Sequence, residues 1–331
     1  MDVTLSAALP VADEARGWLV EGISAAITAC AELVGIDLAQ IARVVVADEA
    51  SYGPAIRDLT TGPVDRTHTE TEFHTGVAKT VMLAGGRHAL VFRDFVAHLA
   101  TLRLAQLNGA NIEGMAPSES GPELGLYIVC HELGHVRDDI VRSHHQTALA
   151  SRNDRFSFEG IAREYTPIIL SEYAACRISA ALMTENVFRD EIAHFADDVA
   201  SVGARLVAQM RDYQAGSVEL ATFAGSVAHA MWVLMVQSAK LLAAEHETDL
   251  RWASESLHAS VRNVLDALSE TLMRDWEMYP AGRAETFDLL LATWRALGLA
   301  TGFQFVLGNP HDAFYFVDTA VVETLGQGTR L

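Results

Sequence analysis

The stretch Ile128-Val129-Cys130-His131-Glu132-Leu133-Gly134-His135 is the place from which the rest of this chain can be read. Its spacing is H-E-x-x-H. On a helix, residues i and i+4 share one face, so His131 and His135 point two imidazoles toward one spot. Two neutral nitrogens about 2 Å from a divalent ion make half of a tetrahedral zinc shell. Glu132 sits about 100° round the helix from His131, where it reaches a water on the metal rather than the metal itself. Zinc lowers the pKa of that water toward about 7, and the carboxylate can take its proton as the water attacks a carbonyl.

The flanking residues fit a buried helix. Leu124, Leu126, Ile128 and Val129 make an apolar run, and two His and a Glu within such a run are expensive to bury unless they serve a site. Ser120-Gly121-Pro122-Glu123 places a Ser three residues before a Glu, which predicts a capping box at the helix start. The segment resembles the active-site helix of the zincin metallopeptidases. One departure is Arg137, where that family usually carries an apolar residue. The resemblance implies a small β-sheet beside the metal helix and hydrolysis of peptide bonds.

Upstream, residues 11–34 have Leu19, Ile23, Ala26, Ile27 and Leu33 at helical spacing, with Gly35 as a C-terminal cap. Residues 41–46 (I-A-R-V-V-V) are β-branched and predict a strand. Residues 48–75 carry Gly53-Pro54 and Gly62-Pro63 and predict a loop, with His68 and His74 as surface histidines. Residues 77–83 and 89–92 flank Ala84-Gly85-Gly86-Arg87, a hairpin signal because tight hairpin turns need positive φ. Asp94 is placed to cap a helix running to Leu107, with Phe95, Leu99, Leu102 and Leu107 as candidate core. A Gly/Pro/Ser linker follows from Asn108 to Ser120. The order of helix, strands, hairpin, backing helix and metal helix is that of the zincin fold, and the resemblance covers about residues 41–185.

Beyond Thr184 the pattern is helical over about 185–213, 217–246, 249–277 and 282–299. Trp232, Leu234, Leu241, Trp252, Leu257, Val264, Leu268, Trp276, Leu289, Leu290 and Trp294 are candidate core. Residues 314–317 (F-Y-F-V) suggest one short strand. The expected class is therefore α+β: a zincin-like core with a small β-sheet and a metal-binding helix, then a mainly helical C-terminal region. The expected domains are 1–185 and 186–331. Leu220 to Ala239 is long enough to cross a bilayer and free of Asp, Glu, Lys and Arg. Its Thr, Ser, His and Gln residues and the lack of basic flanks favour a buried bundle helix instead, so no membrane span is expected.

A catalytic zinc site needs a third protein ligand and one open position. Three and six residues past His135 stand Asp138 and Val141, not the Gly and His of the metzincin arrangement. A Glu on a later helix remains, from Glu159, Glu164 and Glu172. Glu172 opens the small-residue run Glu172-Tyr173-Ala174-Ala175-Cys176-Arg177-Ile178-Ser179-Ala180-Ala181-Leu182, which could pack closely on the metal helix. That run resembles the E-x-E-A-[DN]-R-x-A-A motif of gluzincins, both the ImmA/IrrE-type intracellular metallopeptidases and the HtpX-type membrane ones. By that resemblance Glu172 is the third zinc ligand. Two positions depart from the motif. Ala174 replaces its second acid, and Cys176 replaces the Asp or Asn that commonly orients a ligating His. Asp138, Asp139 or a backbone carbonyl could orient it instead, and Cys176 is itself a minor candidate ligand. For an oxyanion donor, Tyr165, Tyr173, His144, His311 and Tyr315 all remain open. The adjacent His144 and His145 point to different faces and would not chelate together.

Acidic residues number 43 against 24 basic, a formal net charge of −19. That surface repels phosphate backbones and anionic lipid, so nucleic acid is not expected as a partner. Three scattered cysteines imply no disulfide framework, and the N-terminus does not look like a secretory signal. A cytoplasmic zinc metallopeptidase is the expectation, with Glu132 as general base. It would act on a peptide or protein substrate lying extended near the hairpin, and the C-terminal helices could oligomerise. The competing expectation is a metal-binding module of the same fold that binds peptides or regulates without turnover.

Overall fold

The centre of the sheet is made of two strands with almost no polar side chains facing out. β2 (Ile41–Ala47) and β4 (His88–Arg93) pair in parallel, with Val44 opposite Leu90 and Val46 opposite Phe92. Strands buried on both faces read as unbroken apolar runs, which is what residues 89–92 are; they and the preceding His88 are all buried. The computed structural model describes residues 2–6, 13–60, 76–116, 121–150, 158–252, 259–306 and 313–316, with side chains described except at 13–14, 143–150, 259–260 and 313–316. The described chain divides into two compact units.

The first unit comprises Met1–Ile140 and Ala175–Phe188. Its four-stranded sheet has the order β1-β2-β4-β3. β1 (Asp2–Leu5) lies parallel to β2, and β3 (Ala78–Met82) is an antiparallel edge strand on β4. The β3–β4 hairpin forms where the sequence predicts it. Gly85 and Gly86 take φ of 95° and 79°, and Leu83 N–H donates to the Arg87 carbonyl at 2.7 Å. One face of the sheet is covered by α1 (Asp13–Val34), α3 (Asp94–Leu107) and α4 (Gly121–Ala150), through Ile23, Ile27, Val96, Ala100, Val129 and Leu133 against Val44, Val46, Leu90 and Phe92. Gly35 ends α1 at φ 71°. Arg137, the departure on α4, donates to the Val34 carbonyl at 2.8 Å, so a cation satisfies the negative end of α1.

The opposite face is covered by α2 (Glu49–Leu59), which corrects the loop expected over residues 48–75. Asp48 caps it by accepting from Ser51 N–H at 2.8 Å, and Tyr52, Ile56 and Leu59 bury one stripe against Ala47, Val81, Ala89 and Val91. Gly53 and Pro54 weaken a helix intrinsically, but the cap and the buried stripe outweigh them. His68 and His74 lie outside the described residues, as does Ser120 of the capping box. Asp94 is the first residue of α3 rather than its cap; Arg93 holds the cap position without a side-chain bond. Phe95, Leu107, Leu33 and Leu289 are exposed rather than core.

The second unit comprises Val141–Ala174 and the chain from Arg189. α5 (Phe158–Ser179), α6 (Glu185–Gln214), α7 (Leu220–Glu247), α8 (Ala259–Trp276) and α9 (Thr286–Ala300) follow the expected helical order. α7 contributes the largest share of this core of any element, with Trp232 stacked on Trp294 of α9 at 5.5 Å and on Tyr165 of α5 at 5.8 Å. α7 and residues 15–34 of α1 are both long and apolar enough to cross a membrane by length and composition. The short expected strand appears as β6 (Ala313–Phe316), and it pairs antiparallel with β5 (Phe303–Val306), which the sequence did not suggest. Leu257 lies outside the described residues. The class is thus α+β, a small sheet in a mainly helical chain.

Candidate metal centre

α4 presents His131 and His135 one turn apart, and their Nε2 atoms face each other at 3.1 Å. Two nitrogens about 2.1 Å from one ion, at a tetrahedral angle, stand about 3.4 Å apart, so these two fit a shared cation with little adjustment. The rings meet edge to face, with centroids at 4.7 Å. A carboxylate oxygen of Glu132 joins them in a group whose ligating atoms all lie within 4.8 Å of one another. His131 and Glu132 are buried and His135 half-buried, so charge placed here is poorly screened by solvent.

Why α4 can hold this group is a matter of neighbours. Gly134, between the two histidines, lies against the backbone of α5. A Cβ built on it would stand 2.8 Å from Ala175 Cα and 2.9 Å from the Ala175 carbonyl oxygen. Glycine facing alanine lets the two helix axes come closer than larger residues would permit. That approach brings Cys176 to His131, with its sulfur 3.5 Å from Nδ1. Tyr127, one turn before His131, donates to the same sulfur at 3.4 Å. From the other side, the edge strand β3 reaches Glu132. The Thr80 hydroxyl lies 2.8 Å from Glu132 Oε2 and 2.9 Å from its carbonyl oxygen, so its one proton serves both acceptors and fixes the carboxylate. Lower on α4, Asp139 approaches the buried His88, with Oδ2 3.3 Å from Nε2. All three cysteines are free and buried. The Cys130 thiol is pushed well up by its neighbour Cys30 and by burial, so it stays protonated.

Three of the four site residues expected from the sequence are thus brought together. The fourth, Glu172, is placed in the second unit, where its Oε2 lies 3.5 Å from Lys240 Nζ; it is not a member of the 4.8 Å group. Glu159 pairs with Arg163 one turn along α5. The Tyr165 hydroxyl is hydrogen-bonded to His229, and burial, then Glu164, pushes its pKa up. Tyr173 Oη lies 2.6 Å from His246 Nδ1, whose Nε2 meets Ser269 Oγ at 2.9 Å. The side chains of His144, His145 and Tyr315, and all of His311, lie outside the described residues.

Sequence reasoning missed Thr80 and Tyr127. Tyr127 carried a usable signal, since it is four residues before His131 and therefore on its face. Thr80 carried none, because only strand pairing brings it to Glu132. No family model, curated protein or solved structure matches this chain.

Proposed function

We propose that the chain is a zinc-dependent metallopeptidase with a zincin-like core. The observation that carries the reading is the opposed pair of Nε2 atoms, 3.1 Å apart, with the Thr80-held carboxylate of Glu132 beside them. His131 and His135 would hold the metal. Zinc, when bound, supplies a positive charge that eases loss of a proton from water and polarises a substrate carbonyl. Glu132 accepts the proton of the attacking water and returns it to the departing amine. Thr80 keeps that carboxylate aimed, and the buried setting keeps bulk water from screening it. β3 is an edge strand, so a peptide can add to it in extended form and lie along the metal helix. Glu172 is proposed as the third protein ligand. It stands one turn before Cys176 on α5, and the gluzincin-like setting assigns that position a ligand role.

The test uses the full chain after zinc loading, with metal analysis and mass spectrometry of a mixture of unfolded polypeptides. About one zinc per chain and new peptide termini are expected. Glu132→Gln should retain zinc and cut about 10²–10⁴-fold more slowly. Zinc below about 0.2 per chain in the parent would remove the metal reading. Full zinc without cleavage would favour the binding or regulatory module instead.

A further inference from the structure

The position where the gluzincin motif has Asp or Asn is Cys176 here, and its sulfur lies at the outer nitrogen of His131. A neutral imidazole carries one N–H. If that proton is on Nε2, the ring cannot offer Nε2 to a cation; if it is on Nδ1, it can. His131 turns Nε2 toward His135 and Nδ1 toward Cys176 Sγ, at 3.1 and 3.5 Å. An imidazole N–H is a better donor than a thiol S–H, which favours N–H···S as the direction of this contact. Tyr127 donates to the same sulfur at 3.4 Å, and Cys176 is fully buried, so the sulfur is held in place.

We propose that Cys176, steadied by Tyr127, is a positioning residue that keeps the proton of His131 on Nδ1 and leaves Nε2 bare for a metal. The proposal rests on the metal reading for its purpose but not for its test. The close approach at Gly134 and Ala175 is what lets so short a side chain reach the ring. A sulfur can stand where a carboxylate or carboxamide oxygen is usual because only an acceptor is needed, not a charge. Two hydrogen bonds then converge on one uncharged atom in a buried site.

The experiment compares the parent with Cys176→Ala, Cys176→Val, Cys176→Asn and Tyr127→Phe. Val fills the space of the sulfur with methyl groups that cannot accept, so it stands in if Ala does not fold. The first readout is the ¹⁵N shifts of His131 in metal-free protein. The Nδ1–H tautomer should dominate in the parent and in Cys176→Asn, and give way to a mixture in Cys176→Ala and Cys176→Val. The second is zinc affinity by chelator competition. The Ala and Val variants should bind about 10–100-fold more weakly, Tyr127→Phe should lose less, and Cys176→Asn should stay within a few-fold of the parent. An unchanged tautomer in a folded Ala or Val variant overturns the proposal. So does a thiolate-to-metal charge-transfer band in the cobalt-substituted parent that disappears in Cys176→Ala, because the sulfur is then a ligand. A parent that binds no zinc refutes the metal reading alone, since the tautomer in metal-free protein still decides this one.

Discussion

Gly134→Ala tests the packing that holds the site together. The added Cβ would meet Ala175 Cα at 2.8 Å and the Ala175 carbonyl oxygen at 2.9 Å, against a normal carbon contact of about 3.5–4.0 Å. Both contacted atoms are backbone, so no rotamer change relieves them; α4 and α5 must separate by roughly 0.7–1 Å to restore contact at that distance. Overpacking of this kind costs about 1–3 kcal/mol, and the absence of a rotamer escape places it near the top of that range. Alanine returns about 1 kcal/mol through helix propensity. The net expectation is a loss of about 2 kcal/mol, roughly a 30-fold fall in the folding equilibrium. The same separation would stretch the Cys176–His131 contact from 3.5 Å to beyond hydrogen-bonding reach. Gly17→Ala is the internal control: it lies in α1 with nothing within 4 Å of a built Cβ, and should gain about 0.5–1 kcal/mol. The assay is urea unfolding followed by far-UV circular dichroism for both variants and the parent. A Gly134→Ala midpoint equal to or above the parent's would refute the close-packing argument, and so would a fall of similar size in Gly17→Ala.

Glu172→Ala should weaken zinc binding by orders of magnitude, while Glu159→Ala and Glu164→Ala keep parent-like affinity; a large loss in either of those would move the third ligand. Asp275→Ala should destabilise the helical unit by about 3–5 kcal/mol. It removes the carboxylate that Arg142 Nη1 meets at 3.2 Å, with both side chains almost fully buried, and it also removes the acceptor of Thr286 Oγ1 and Arg283 N–H. A calorimetric shift worth less than about 1 kcal/mol would count against that burial. Glu245 has its pKa raised from an ordinary 4.5 by burial, against a hydrogen bond from Trp252 N–H and the nearby Arg251. Because the folded value is the higher one, its stabilising contribution is full below about 4.5 and is lost as pH rises through the folded value. Glu245→Gln should therefore gain on the parent between pH 4 and pH 7 in urea midpoints, and a gap that shrinks over that range would reverse the sign.

The hairpin was legible because its information is local: Gly85 and Gly86 supply the positive φ, and apolar runs flank them. The same holds for Gly35 at the end of α1 and for the two histidines, whose spacing alone puts them on one face. α2 was not legible. Gly53 and Pro54 read as breakers, and the burial of Tyr52, Ile56 and Leu59 against the sheet becomes visible only once the sheet exists. Phe95, Leu107 and Leu33 failed in the opposite sense. They are apolar at helical spacing, yet on faces left exposed among the described residues.

For the site, the sequence by itself determined which atoms can chelate, since His131 and His135 are bound to converge on any helix that contains them. Only the tertiary structure decided that the Cys176 sulfur reaches Nδ1 of His131, that Tyr127 steadies it, and that Thr80 holds Glu132. Those contacts join residues about 50 positions apart, and their distances depend on how closely α4 approaches α5 and β3. That approach is set by the absence of a side chain at Gly134 and by strand register, and a linear pattern carries neither.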